Sequence, residues 1–152
     1  MTQGKGPLNY TTTIDPTKTA GECIAALARH GAGKIMMVYG SDRRPSGIAF
    51  EIDTQWGHRT YTLPVNVDGT HAALKKAHRQ GHITPKYTER EQAVRTSWRV
   101  LLVWLEAQLA LIEAGVSVLE EVMLPWQMID GDTTVFQAIN NDQLALTSGG
   151  GG

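Results

Sequence analysis

A single cysteine, Cys23, excludes an internal disulfide and makes a reducing compartment the default. No apolar run follows Met1, so no secretory signal is expected. No membrane span is expected either. The most apolar window, Val100 to Leu119, holds Glu106 and Glu113 with Gln108 between them, and a mid-bilayer carboxylate is costly. No Gly-x-Ser-x-Gly elbow and no Cys-x-x-Cys pair is present, and Ser97 and Ser117 fall inside a helical pattern, where a hydroxyl is a poor nucleophile. These absences point to a cytoplasmic, non-membrane protein without a catalytic signature.

What is present is a length that fits one domain, with 41% hydrophobic and 19% charged residues. The net charge of -1 hides an asymmetry. Residues 1–88 hold eleven Lys/Arg against six Asp/Glu, and residues 89–152 hold three against nine. A basic front half and an acidic back half suggest two functional surfaces, against the plainer reading of scattered solvated charges.

Along the chain, residues 1–7 read as a tip and Leu8 to Ile14 as a strand rich in β-formers. Asp15 and Pro16 start a helix that runs through Arg29. Lys34 to Tyr39 reads as a strand, Gly40 to Gly47 as a turn, and Ile48, Phe50 and Ile52 alternate with Ala49, Glu51 and Asp53 in a strand with one wet face. A turn at Gln55 to His58 leads to a third alternating segment, Arg59 to Val65. A short helix follows from Thr70 to Gln80. Thr88-Glu89-Arg90-Glu91 reads as a capping box opening one long helix to Pro125. Met128 to Ile139 reads as a hairpin or docked turn, and Thr147 onward as a flexible tail. The expected fold is α+β, a three- to four-stranded sheet in the order β-α-β-β-β-α backed by helices (residues 8–82), followed by one long C-terminal helix (residues 88–125).

With the first strand running upward, that order gathers Arg29, His30, Lys34, Trp56, His58, Arg59, Arg79 and His82 at the lower end of the sheet. Cations beside an exposed aromatic suit a phosphate backbone with stacked bases. Helix C-termini at the same end favour cations too, which is the bland account. Phosphate contacts are assigned to Arg29, Lys34, Arg43, Arg44, Arg59, Lys75, Lys76 and Arg79, with Trp56 or Tyr39 for stacking.

Gly31-Ala32-Gly33-Lys34 follows a helix and precedes a strand, the reverse of a phosphate loop, and Ile35 stands where magnesium chemistry needs a hydroxyl. His71, His78 and His82 lie on one helical side, but Lys75, Lys76 and Arg79 would repel a dication, so neither metal nor cofactor is expected. Cys23 sits on an apolar stripe as a core residue. Glu106 and Glu113 are two turns apart, roughly 10 Å, too far to clasp one ion alone.

The long segment is apolar on most sides, which demands cover on most sides. Trp98, Leu101, Trp104, Gln108, Leu111 and Ile112 are therefore the expected oligomer interface, with Val103, Ala107, Ala110 and Ala114 as a small-residue ridge. The alternative is a larger internal core closed by residues 128–146.

Tyr87-Thr-Glu-Arg-Glu-Gln-Ala, Trp98-Arg-Val, Trp104-Leu-Glu-Ala-Gln-Leu-Ala-Leu-Ile-Glu-Ala and Leu119-Glu-Glu-Val-Met-Leu-Pro-Trp126, with Tyr10-Thr-Thr-Thr-Ile and Leu63-Pro-Val, resemble small phage and prophage proteins that carry no assigned activity. The resemblance implies a mobile-element setting and no site residues. The front half is also loosely similar in architecture to single-strand annealing proteins. The expectation is a non-enzymatic, homo-oligomeric protein that binds single-stranded nucleic acid. The alternative is a protein-interaction or assembly module built on the long helix.

Overall fold

A computed structural model describes residues 6–149, with side chains as far as residue 142. Residues 1–5 and 150–152, which hold most of the expected tip and the last glycines, lie outside the described residues.

Strands β1 (Gly33–Tyr39), β2 (Pro45–Thr54) and β3 (Gly57–Pro64) form one antiparallel meander in the spatial order β1-β2-β3. The register sets Ile48 between Met37 and Leu63 and Phe50 opposite Tyr61. Side chains alternate across a strand, so Ile48, Phe50 and Ile52 share one buried face with Tyr61 and Leu63. The Phe50 and Tyr61 rings stack there with centroids 5.4 Å apart. Ala49, Glu51 and Asp53 turn to the other face, beside Thr60 and Thr62.

Helix α1 (Pro16–Arg29) starts as its sequence requires. Asp15 Oδ1 accepts from the Thr17 amide at 2.7 Å, and Pro16 fills the first turn. Its buried stripe, Ala20, Cys23, Ala26 and Leu27, joins the sheet and Val94, Trp98, Leu102, Leu105 and Leu109 of a second long element in one core. Helix α2 (Val67–Arg79) is capped by Asn66, whose Oδ1 accepts from Gly69 at 2.8 Å. Its Leu74 and Ala77 pack with Ile83 and Ala93 in a separate small cluster bordered by Tyr10 and Tyr87.

Helix α3 (Arg90–Glu113) is the expected long helix cut short. Gly115, at φ +76°, turns the chain out of the helix. The Gly115 amide donates to Ile112 O and the Val116 amide to Leu111 O, both at 3.0 Å, closing a left-handed C-terminal motif that glycine accommodates without strain. One short turn of helix, α4 (Leu119–Val122), and a 3₁₀ turn at Leu124–Trp126 follow. The ten-turn rod is therefore absent.

Three further expectations are corrected. Leu8 to Ile14 is a pair of turns rather than a strand. Gln92 Nε2 donates to Tyr10 O at 2.7 Å and Thr12 O at 2.9 Å, holding these carbonyls across α3 instead of in a ladder. No parallel β-α-β unit forms as a result. The capping box is not made either: Thr88 Oγ1 donates to Pro85 O at 2.6 Å inside a 3₁₀ turn (Pro85–Thr88), and Glu91 pairs with Arg44. The expected hairpin or docked turn forms only over residues 127–135, where Met128 bridges Thr134, Val135 donates to Gln127 O and Met128 donates to Thr60 O, both at 2.8 Å. The chain then enters α5 (Val135–Gly149), where the rest of that segment and a tail from Thr147 are expected.

Candidate nucleic-acid interface

The lower end of the sheet comprises the start of β1, the β2–β3 turn and the end of α1. It brings together Arg29, His30, Lys34, Trp56, His58 and Arg59. It also brings acids that a count of cations leaves out. His58 Nε2 lies 2.8 Å from Glu51 Oε2, its Nδ1 lies 2.6 Å from Asp53 Oδ1, and Lys34 Nζ is 3.5 Å from Glu51. Glu51 Oε2 is enclosed, with His58 Nε2 as its nearer cation. A neutral imidazole has one N–H, whereas both ring nitrogens here face carboxylates. Asp53 first and Glu51 second therefore hold the His58 pKa above its ordinary value.

Arg59 donates to His58 O at 3.0 Å and Trp56 O at 2.9 Å, which spends its guanidinium on bracing the turn. His30 reaches Glu113 at 2.9 Å across the ends of α1 and α3. Trp56 itself is 68% exposed. The lower end is thus a partly compensated surface with one protruding ring. Lys34, His30 and His58 face carboxylates, Arg59 faces only carbonyls, and Arg29 is exposed without an ion pair among the described residues.

Arg43 and Arg44 lie at the opposite, upper end, in the β1–β2 turn. Arg44 grips Glu91 with two nitrogens, which raises its own pKa and holds the Glu91 carboxyl below the usual range. Arg43 is exposed, at φ +62°.

Lys75, Lys76 and Arg79 do not join the lower end. Leu74 and Ala77 anchor α2 against Ala93 in the first turn of α3, and His71 Nε2 lies 2.8 Å from Thr88 O, so the whole helix stays at the upper end. At 100° per residue the three cations fall within an arc of about 100°, opposite Leu74 and Ala77. All three are exposed, and none is ion-paired among the described residues. Lys86, in the following 3₁₀ turn, sits 4.9 Å over the Tyr87 ring. From Gly69 to Thr88 the chain has four Lys/Arg and three His and no Asp or Glu at all. The acids that flank the segment are Asp68, held by Arg90 at 2.9 Å, and the exposed Glu89. This acid-free segment is the strongest signal in the sequence, and a search for cations alone passes over it.

Of the residues expected at an oligomer interface, Trp98 is wholly buried and donates to Pro45 O at 3.0 Å. Leu101, Trp104 and Ile112 pack on the core, and the Trp104 ring meets Trp126 edge to face. Gln108 is half-buried and Leu111 exposed. What α3 turns outward is the small ridge Val103, Ala107, Ala110 and Ala114, extended by Val100. Below Trp126 and Pro64 a groove of about 630 Å³ runs to Met128 and Phe136.

Cys23 is sealed in the core; burial first, then Glu22 and Glu106, pushes its thiol up to about 12. His78 Nδ1 is 3.2 Å from Ile83 O. Among the described residues no group of three His, Cys, Asp or Glu side chains is placed to hold a metal ion, and no helix is long and apolar enough to cross a membrane.

Compared with protein-family models, curated proteins and solved structures, the chain matches none.

Proposed function

We propose that this is a non-enzymatic nucleic-acid-binding protein whose phosphate contacts come from the outer face of α2. The observation that carries the reading is the acid-free stretch from Gly69 to Thr88, with Lys75, Lys76 and Arg79 side by side on one exposed face. Cations in the last turn of a helix also complement its free carbonyls. That effect accounts for one or two of them, and for neither Lys86 nor the lack of any acid across twenty residues.

A polyanion gains from such a face by releasing condensed counterions, so binding must weaken as salt rises. A small nucleic-acid-binding protein also fits the mobile-element setting that the sequence resemblance implies. The test is fluorescence anisotropy with labelled oligonucleotides at about 50 mM salt, followed by a salt titration. Binding is expected, and the variant Lys75→Ala/Lys76→Ala/Arg79→Ala should lower the logarithmic salt slope by roughly three. No binding at that salt, or an unchanged slope, removes the reading.

A second reading, assembly with another polypeptide, rests on a different surface. Val100, Val103, Ala107, Ala110 and Ala114 alternate at spacings of three and four along the outside of α3, as the seam of a paired helix does. Light scattering checks it: a mass above one chain that falls on Val103→Glu supports assembly, and a monomer unaltered by that change opposes it.

A further inference from the structure

We infer that α2 binds duplex DNA by entering its major groove; this rests on the nucleic-acid reading above and names the form of nucleic acid that the same face fits. The centre of that face is Ala72, directly opposite the buried Leu74 and Ala77. Gly69 and Ala73 flank it in the first half of the helix, and Lys75, Lys76, Arg79 and Gln80 follow in the second. The crest is therefore low at Ala72 and rises to Arg79 two turns later, with Lys75 and Lys76 about 50° to either side. All are exposed, and Asp68, held by Arg90 at 2.9 Å, stands near the start of the same line. A helix of thirteen residues is about 20 Å long and, with side chains, about 10–12 Å across. The major groove of B-form DNA is about 12 Å wide and lined on both walls by phosphates. Ala72 lets the backbone of the first half approach the groove floor, Lys75 and Lys76 to either side reach the walls, and Arg79 extends along the crest towards the floor.

Two alternatives fit this face less well. A single strand is held by stacking its bases on exposed rings. The rings nearest α2, Tyr10 and Tyr87, are packed edge to face on each other at 5.2 Å, half-buried beneath the helix in its apolar cluster. Of the two rings on which the single-strand expectation rests, Trp56 is at the lower end of the sheet, and Tyr39 is exposed at the upper end of β1, the edge strand opposite β3. Duplex RNA closes its major groove to a deep, narrow cleft that a helix cannot enter. The periphery of the fold gives α2 the room that docking needs. Its cover comes from α3 and the 3₁₀ turn on one side only, and Ile83 of the following link completes that cover from beneath.

The test compares a labelled duplex DNA, each of its separated strands and the duplex RNA of the same sequence, with the full chain at about 50 mM salt. The duplex DNA is expected to bind at least about tenfold more tightly than the others. Ala72→Trp keeps every charge while raising a wall on the crest; with its helical circular dichroism unchanged, it should weaken duplex DNA by about tenfold and leave single strands within about twofold. Strands or duplex RNA bound as tightly as duplex DNA, or an Ala72→Trp protein that binds duplex as well as the wild type, overturns the groove while leaving the phosphate-binding face intact. Failure of all four probes removes the phosphate-binding face, and the groove with it.

Discussion

The lower end of the sheet and the outer face of α2 hold similar numbers of cations and differ in their acids. At the lower end Glu51 answers Lys34 and His58, Asp53 answers His58, and Glu113 answers His30. On α2 nothing answers Lys75, Lys76 or Arg79 among the described residues. The lower end is an internal ion network that happens to lie at the surface, and surface pairs of this kind add little to stability. The α2 face keeps its charge available for a ligand. Cation density alone therefore does not identify a polyanion site; cations left without carboxylates do.

The largest effect should come from cutting α2 loose. Leu74 is wholly buried in the small cluster, and Leu74→Ala is expected to cost about 2–5 kcal/mol. Native-state hydrogen exchange should show α2 amides losing protection while those of β2 keep theirs, and oligonucleotide binding should fall with α2. Equal loss in both elements would mean that the two regions are one cooperative unit and the comparison is too sharp.

A smaller effect concerns the lower end alone. The folded-state pKa of His58 is raised from 6.5 by Asp53 and then Glu51. The contribution of this ion network is therefore fully present below that ordinary value and is lost as pH rises through the folded one. A proton-NMR titration of the His58 ring should give a midpoint above 6.5 that moves down on Asp53→Asn. A midpoint indifferent to Asp53 would show that the carboxylate does not hold the ring, and the lower end would count as a free basic surface after all.

Much of this contrast could be read from the chain. The alternation in β2 and β3, the Asp15-Pro16 start and the apolar stripe of α1 each named their element, because burial and capping act within a few residues. Glu51 and Asp53 were equally visible as the wet side of β2. Their neutralising role was not, since it depends on the β2–β3 register that sets His58 against Asp53. The arm from Leu8 to Ile14 has strand-forming residues, and a distant side chain, Gln92, decides what its carbonyls bond to. Gly115 carried its signal openly: a glycine following Ala114, with an apolar residue next, is a helix stop. The apolar run on either side of it masked that stop. The expected place of Arg79 and His82 at the lower end follows from a helix that returns down the sheet after β3; packing of Leu74 and Ala77 on Ala93, a contact between distant residues, holds α2 at the upper end instead.

Availability of charge, not its number, makes the cationic site. One titration tests it most directly: anisotropy on a single labelled DNA duplex with two variants that each remove two charges, Lys75→Ala/Arg79→Ala on α2 and Lys34→Ala/Arg59→Ala at the lower end. Binding at least about tenfold weaker is expected for the first and less than about twofold weaker for the second. Equal losses, or a greater loss from the lower end, would contradict it.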